Sequence, residues 1–323
     1  MKELFPLVSI ITYCYNGERF VSRFFEGVLS QTYQNIELIF IDNGSEDDTS
    51  GVVRDYIPKL EARGITVQFI RYEKNQSTCA MKQLGFRKMR GEFFCGCDSD
   101  DVMHPTYIEE MSGFLRDHPE KGIVFCQLNQ IQESTGEKSG VMKTVRKSEP
   151  KAAFLDMLYA RNTIFTPLCY MMSRKHFLTV NPEMKIHISK YGENYQVQLP
   201  FLYYDLQGYI EKPLGDYYVR SNSYSGTMKK DPMKQIAAFK GQEEAILATL
   251  EQIHPDNIES YQAIVQKRLR RDRFYASVES KNKAFLQMCW EELKEVQGGS
   301  LQDTLVYRFP SAYMLLRRLI KDY

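Results

Sequence analysis

The chain has 323 residues, with 42 basic and 41 acidic side chains and a formal net charge of +1. That balance gives no global electrostatic argument for nucleic acid as a partner, and no run approaches the roughly 20 apolar residues of a membrane-spanning helix. The length predicts one large domain with an appendage, or two domains.

Seven cysteines, Cys14, Cys79, Cys95, Cys97, Cys126, Cys169 and Cys289, are odd in number and mostly set among apolar residues. They read as reduced thiols of a cytosolic protein. No second Cys or His pair stands at zinc-like spacing from "CGC", which therefore reads as buried strand. The opening "MKELFPLVSIITYCYN" has no charged leader before a long apolar segment, so a cytoplasmic protein, free or attached to a membrane surface, is expected.

In chain order, "LVSIITYC" is a β-branched run and predicts a strand. "GERFVSRFFEGVLSQT" places Phe20, Phe24 and Val28 at helical spacing, and "IELIFIDN" is again a strand. "SEDDTSGVVRDYIPKLEAR" predicts a helix, "ITVQFIRY" a strand, "STCAMKQLGFRKMR" a helix and "GEFFCGCD" a fourth strand. This βαβαβαβ alternation predicts an α/β fold: a mostly parallel central sheet with helices on both faces and ligands at the carboxyl ends of the strands. Three polar clusters fall at those ends: "TYCYNG", "DNGSEDD" and "DSDD". No glycine-rich phosphate fingerprint stands at the first turn, which weakens a dehydrogenase or NTPase reading.

A helix from Pro105, "PTYIEEMSGFLRDH", leads to the strand "GIVFCQLNQI" and then to a polar loop or hairpin, "QESTGEKSGVMKTVRKSEP". "KAAFLDMLYARN" reads as a helix, "IFTPLCYMMSR" as extended, and "ENYQVQLPFLYYDLQG" as part helix with Pro200 marking a kink or boundary. "YIEKPLGDYYVRSNSYSG" reads as strand and turn. Beyond Gly226 the composition becomes helical: Asp231 and Pro232 open a segment with Ile236, Phe239, Ile246 and Leu250 at helical spacing. The expected division is 1–225, split into 1–104 and 105–225, followed by a helical region, 226–323.

Asp98, Asp100 and Asp101 stand together at the end of an apolar strand, where clustered carboxylates need a cation or strong donors. Three aspartates exceed what a cap for the following helix requires.

"LVSIITYCYNGERFVSRFFEGVLSQTYQNIELIFIDNGSEDDT" followed by "GEFFCGCDSDDVMHP" resembles the family 2 glycosyltransferases of A-type fold, in particular the bacterial surface-polysaccharide members. The resemblance is strong from residue 5 to about 130 and weaker to about 225. It implies an inverting transfer from a nucleotide sugar, with UDP-sugar the expected donor, to a hydroxyl of a glycan or lipid-linked saccharide. It also implies Mg2+ or Mn2+, which prefer oxygen ligands and neutralise the departing diphosphate. On that resemblance Asp98 and Asp100 hold the ion, Asp98 lies nearer the ribose beside Ser99, and Asp101 orients the loop. Tyr13 and Tyr15 pack against the base, and Asn16 shapes that loop.

The chain departs from the family at several of these positions. Asp42-Asn43 replaces a pair of aspartates, and the Asn43 amide is compatible with a uracil edge. Lys82 and Gln83 stand where arginine and asparagine are usual; Lys82 keeps the charge for a diphosphate without the fork, and a solvated helix lysine is an equal alternative. Glu193-Asn194 replaces a glutamate-aspartate pair. Since an amide takes no proton, Glu193 is the expected base, with Asp205 a distant second. Arg220 and Tyr218 belong to a closing segment near the diphosphate.

These departures leave a second reading open, a nucleotide-sugar-binding protein without catalysis. A nucleotidyltransferase is disfavoured by the missing glycine-rich basic loop. The tail, with "KRLRRDR" and then Met314, Leu315, Leu316, Leu319 and Ile320 beside Arg317, Arg318 and Lys321, suits either an anionic membrane surface or docking on its own domain.

Overall fold

The computed structural model describes residues 5–143, 149–220, 224–228 and 230–321. The chain divides into two compact units, one of Met1–Ile188 with Glu193–Arg220, the other of Ser189–Gly192 with Ser221–Tyr323.

The first unit runs β1 (Val8–Cys14), α1 (Val21–Leu29), β2 (Ile36–Asp42), α2 (Thr49–Ala62), β3 (Thr66–Arg71), α3 (Thr78–Lys88), β4 (Phe93–Gly96), β5 (Val102–Met103) and α4 (Tyr107–Asp117). It continues with β6 (Ile123–Gln132), β7 (Lys138–Met142), α5 (Ala152–Leu158), β8 (Tyr170–Ser173), α6 (Arg174–Val180), α7 (Glu193–Tyr203) and β9 (Gln207–Val219). The strands order as β3-β2-β1-β4-β8-β6-β9-β5, with β7 paired to β6. Pairing is parallel among β3, β2, β1 and β4 and between β6 and β9. It turns antiparallel at β8, β7 and β5, with β6 and β7 joined directly as a hairpin.

β1 and β2 are continuous apolar runs because both faces are covered. Ile10, Leu38, Ile39 and Phe40 are fully buried, and α1 lays Phe24, Phe25 and Val28 into the same core. Each such side chain contributes roughly 1.5–3 kcal/mol by leaving water. The first polar excursion forms a hairpin as far as Met142; residues 144–148 of that stretch lie outside the described residues.

Pro200 does not end its helix. α7 continues to Tyr203, because a proline three residues from a helix end removes one donor while its own carbonyl still accepts from Tyr204 N–H at 3.3 Å. The two-residue β5 carries no sequence signal; its pairing with β9, Val102 opposite Asp216, defines it.

The second unit is helical: α8 (Tyr224–Met228), α9 (Pro232–Ile253), α10 (Ile258–Glu279), α11 (Lys283–Glu295), α12 (Leu301–Arg308) and α13 (Pro310–Lys321). Asp231 caps α9 through the N–H groups of Met233 and Lys234, with Pro232 at its first position. Ile236, Phe274, Trp290, Leu293 and Val306 form a core. Beside it the buried Arg273 pairs with Glu243 at 2.9 Å and Glu292 at 3.0 Å. Among the described residues no helix is long and apolar enough to cross a membrane.

Candidate active site

The parallel arrangement brings the ends of β1, β2 and β4 to one edge of the sheet. The first two loops are stitched together: Asn43 N–H donates to Cys14 O (2.8 Å), Asn16 N–H to Ser45 Oγ (3.0 Å), and Glu46 N–H to Asn16 Oδ1 (2.9 Å). Asn16 has φ 52°, a left-handed conformation that asparagine tolerates. Gly44 has φ 78°, and a Cβ there would lie 2.7 Å from the Lys74 backbone, so this turn requires glycine.

Asp42 is fully buried at the end of β2 and accepts from Ser45 N–H at 2.9 Å and from the Ser50 hydroxyl, with Arg71 Nε 3.7 Å away. Asn43 is pinned both ways to one backbone unit: its Nδ2 donates to Gln76 O (3.0 Å) and its Oδ1 accepts from Gln76 N–H (2.9 Å). Both side chains thus hold the loop itself. Tyr13 is half-buried, and Tyr15, 45% exposed, faces solvent.

At the end of β4 the three aspartates differ in environment. Asp98 takes a long hydrogen bond from Thr166 Oγ1 (3.4 Å), and its carbonyl closes a turn with Asp101 N–H (3.0 Å). Burial, then the neighbouring Asp100, raise its carboxyl above the usual range, against the pull of Lys82. Burial pushes the Cys14 thiol at the end of β1 up to about 12, with Ser99 acting to lower it. Asp100 is ion-paired with Arg220, and its carbonyl accepts from Arg23 Nε at 2.7 Å. Asp101 is buried; its Oδ1 accepts from Tyr218 N–H at 3.0 Å, while no donor among the described residues reaches Oδ2. Burial, Asp98 and Asp100 push this carboxyl well up.

Lys82 is buried rather than solvated, 5% exposed, because α3 packs this face against the sheet. Its Nζ donates to Asn194 Oδ1 at 2.7 Å and approaches Tyr170 Oη at 3.5 Å. Burial lowers the ammonium pKa, while Glu193 and Asp98 act to raise it. The neighbouring Gln83 instead accepts from Ile186 N–H at 3.1 Å through Oε1. A cavity lined by Tyr13, Lys82, Asp98, Pro167 and Tyr170 lies beneath the aspartates.

Glu193 opens α7, half-buried, and acts electrostatically on Lys82, Asp98 and Tyr13. The residue before it, Gly192, has φ 90°, which favours glycine. Asp205 belongs elsewhere: it lies past the far end of α7, about 16 Å along the axis from Glu193, where its Oδ1 accepts from Lys151 N–H at 3.0 Å.

Two residues with no sequence signal complete the site. Arg23, on α1, lies 3.7 Å from the Tyr218 ring and pairs with Glu133 at 2.8 Å. Phe20 carries the Arg220 guanidinium 3.9 Å from its ring centroid. The helical periodicity of "RFVSRFF" absorbed both.

Among the described residues no three His, Cys, Asp or Glu side chains converge as a metal cage. Mg2+ and related hard cations are commonly held by one or two carboxylates together with substrate phosphates. Asp98 and Asp100, oxygen donors at a partly open strand end, with the unsatisfied Asp101 Oδ2 behind them, fit that mode.

The family model described as "Glycosyl transferase family 2" matches residues 9–179, more than half of the chain. An uncharacterized glycosyltransferase of Rickettsia prowazekii is 31% identical over 147 residues, 45% of this chain and 44% of that protein, so the match spans under half the length of that curated relative. TarS 1–349 of S. aureus, solved in complex with UDP-GlcNAc, superposes with a TM-score of 0.63 at 13% identity, covering 93% of this chain and 91% of that one. The mannosyltransferase PcManGT of Pyrobaculum calidifontis, solved with GDP-Man and Mn2+, gives 0.53 at 15% identity, with 96% and 81% covered. These two likenesses show the fold, and the aspartate cluster at the strand ends lies within the stretch that the family model matches. The chain belongs to glycosyl transferase family 2.

Proposed function

We propose that the enzyme transfers a sugar from a nucleotide sugar, a UDP-sugar in the first instance, with inversion, to a hydroxyl of a glycan or lipid-linked saccharide during cell-surface polysaccharide synthesis. The observation that carries this reading is the gathering of Asp98, Asp100, Lys82 and Glu193 at the carboxyl edge of the parallel strands. The two fold relatives were solved with UDP-GlcNAc and with GDP-Man and Mn2+, which supports a nucleotide-sugar donor and a divalent ion, Mn2+ or Mg2+.

When bound, the ion neutralises charge that develops on the leaving diphosphate, and Asp98 and Asp100 would hold it. The remaining roles fall to the chain. Tyr13 and Tyr15 border the base and Asp42 and Asn43 hold the loop beneath it, while Ser99 and Asp98 face the ribose side. Lys82 supplies a fixed positive charge under the site, and Arg220 a second one at its rim. Glu193 accepts the proton of the acceptor hydroxyl as that oxygen attacks the anomeric carbon. We place the enzyme in the cytoplasm, with α13 as a contact to the membrane surface that carries the acceptor.

Calorimetric titration of UDP and GDP, with and without Mn2+, on the wild type and Asp100→Ala tests this. Ion-dependent UDP binding that is lost in the variant is expected; no binding of either nucleotide under any condition overturns it. The amide at Asn194 favours one second reading, a nucleotide-sugar-binding protein without catalysis. That reading predicts UDP-sugar binding with no turnover, neither hydrolysis nor transfer.

A further inference from the structure

Arg23, on α1, touches three segments that meet around the aspartate turn. Its Nε donates to the Asp100 carbonyl at 2.7 Å, its Nη1 donates to Glu133 Oε1 at 3.0 Å, and its guanidinium lies 3.7 Å from the centroid of the Tyr218 ring. The partners are tied to one another as well: Glu133 N–H donates to Val219 O at 3.2 Å, and Tyr218 N–H to Asp101 Oδ1 at 3.0 Å. Residues 98–101 form a turn closed by Asp101 N–H to Asp98 O at 3.0 Å. The Asp100 C=O and the Asp101 N–H belong to one planar peptide unit. That unit is gripped on both sides, its N–H by Asp98 and its C=O by Arg23, and it cannot rotate without losing both bonds. Its plane sets ψ of Asp100, and with it the direction in which the Asp100 carboxylate leaves the turn relative to that of Asp98.

We infer that Arg23 is a positioning residue of the donor site, which holds the Asp98 and Asp100 carboxylates in the arrangement that receives the divalent ion by fixing the peptide between Asp100 and Asp101. The inference rests on the proposed donor site and adds to it a residue of α1, 77 positions before Asp100. The three carboxylates of the turn repel one another, which favours splaying it. Arg23 sets a positive charge against the backbone of this turn, and its hydrogen bonds go to the Asp100 carbonyl and to Glu133, so it takes no carboxylate oxygen of the three aspartates. Its contacts lie with this turn, Glu133, Tyr218 and Phe20, and not with Tyr13, Tyr15, Asp42 or Asn43 on the proposed base side. Loss of Arg23 is therefore felt at the ion. A lysine at this position keeps the charge, but its point-like ammonium cannot lie on Tyr218 and hold the carbonyl and Glu133 in the fork that the guanidinium spans.

The measurement is calorimetric titration of UDP into the full chain at graded Mn2+ concentrations, on the wild type, Arg23→Gln and Arg23→Lys, and it reads the Mn2+ concentration that gives half of the full UDP affinity. That midpoint should rise about tenfold or more in Arg23→Gln, the worth of one hydrogen bond from a charged group. Arg23→Lys should follow the glutamine variant to within about threefold, and it carries the test if the latter folds poorly. A UDP affinity lowered at every Mn2+ concentration with an unmoved midpoint marks an arginine that only supports the fold, and overturns the inference. A wild-type midpoint in Arg23→Lys overturns it too, since charge without the fork would then suffice. The wild type separates this inference from the reading beneath it. Ion-dependent UDP binding there, with an unmoved midpoint in both variants, leaves the donor site standing without Arg23; failure of UDP to bind the wild type with any ion removes the donor site and the role of Arg23 together.

Discussion

The ammonium of Lys82 lies 2.7 Å from Asn194 Oδ1, and the same oxygen accepts from Tyr170 Oη at 3.1 Å while Nδ2 donates to Phe165 O. Both polar atoms of this amide are therefore engaged inside the protein. A neutral partner leaves the Lys82 charge uncancelled, so it acts on Asp98 and Glu193 instead. Asn194 organises the floor of the site, and on the proposed mechanism the proton chemistry falls to Glu193, one residue back.

Glu193→Gln is accordingly expected to lower kcat by about 10²–10⁴, the usual worth of a general base, while UDP affinity stays within about threefold. Asn194→Asp in that background should not restore the rate, because the new carboxylate would face Lys82 and Tyr170. Initial-rate kinetics with calorimetry on the two proteins decide the matter; a Glu193→Gln enzyme at wild-type rate removes Glu193 from the mechanism.

Asn43→Asp should destabilise the fold, although aspartate is the residue that the resemblance leads one to expect there. The Asn43 amide gives one hydrogen bond to Gln76 O and takes one from Gln76 N–H. A carboxylate retains the second and opposes the first, oxygen against oxygen, in a residue only 4% exposed. A loss of about 1–3 kcal/mol is expected, the cost of a buried acceptor left facing another acceptor. Urea unfolding measures it as a lower midpoint at unchanged slope; an unmoved midpoint refutes it.

These residues show what was legible in the sequence. β1, β2 and β4 declare themselves because strands covered on both faces are continuous apolar runs, and the alternation with helices, which also marks the edge strand β3, fixes where their ends meet. The aspartates at 98, 100 and 101 were visible as charge where an apolar run stops. Arg23 and Phe20 were not, because one turn of an amphipathic helix looks the same whether its rim faces water or a loop 77 residues away. Lys82 left open whether its charge was solvated, since burial of a helix lysine depends on what later segments, here Tyr170 and Asn194, bring against it. β5 has two residues, too few for any period, and only its pairing with β9 defines it.

His104 ties β5 to β9 and makes stability pH-dependent in a definite direction. Its Nε2 lies 2.8 Å from Asp216 Oδ1, which also accepts from Asn129 Nδ2 at 2.8 Å. The bond to Asp216 raises the imidazole pKa, with burial and Lys212 opposing, and the same bond helps hold the Asp216 carboxyl down. A raised folded-state pKa stabilises fully below the ordinary histidine value of about 6.5, and that contribution is lost as pH rises through the folded value. Asp216 works in the opposite sense, losing its contribution in the acid range. Between about pH 6 and pH 9 the wild type should therefore lose stability relative to His104→Gln. Urea midpoints across that window check it, and parallel curves for the two proteins contradict it.

Leu301, Leu305, Phe309, Leu315 and Leu316 are 87%, 59%, 60%, 61% and 59% exposed, more than any other large apolar side chain described. Leu301, Leu305 and Arg308 share one face of α12, since residues four and seven apart align on a helix. Tyr313 and Met314 pack on the core of the unit, which leaves Leu315 and Leu316 outside it. Between 301 and 321 the only acid is Asp303, against Arg308, Arg317, Arg318 and Lys321. Asp303 is buried and held by Arg271 at 3.1 Å and Tyr275 at 2.7 Å, so it offers no negative charge at the surface. Exposed leucines in a segment with more basic than acidic residues match an anionic bilayer surface better than a neutral one. Leu315→Ser with Leu316→Ser should reduce sedimentation with phosphatidylglycerol vesicles by about tenfold or more, the worth of two leucines withheld from the lipid. Wild-type binding should also fall as salt rises, because basic side chains at a surface are screened. Equal sedimentation of variant and wild type would detach these leucines from the membrane, and a concentration-dependent dimer lost in the variant would assign them to a second copy of the chain.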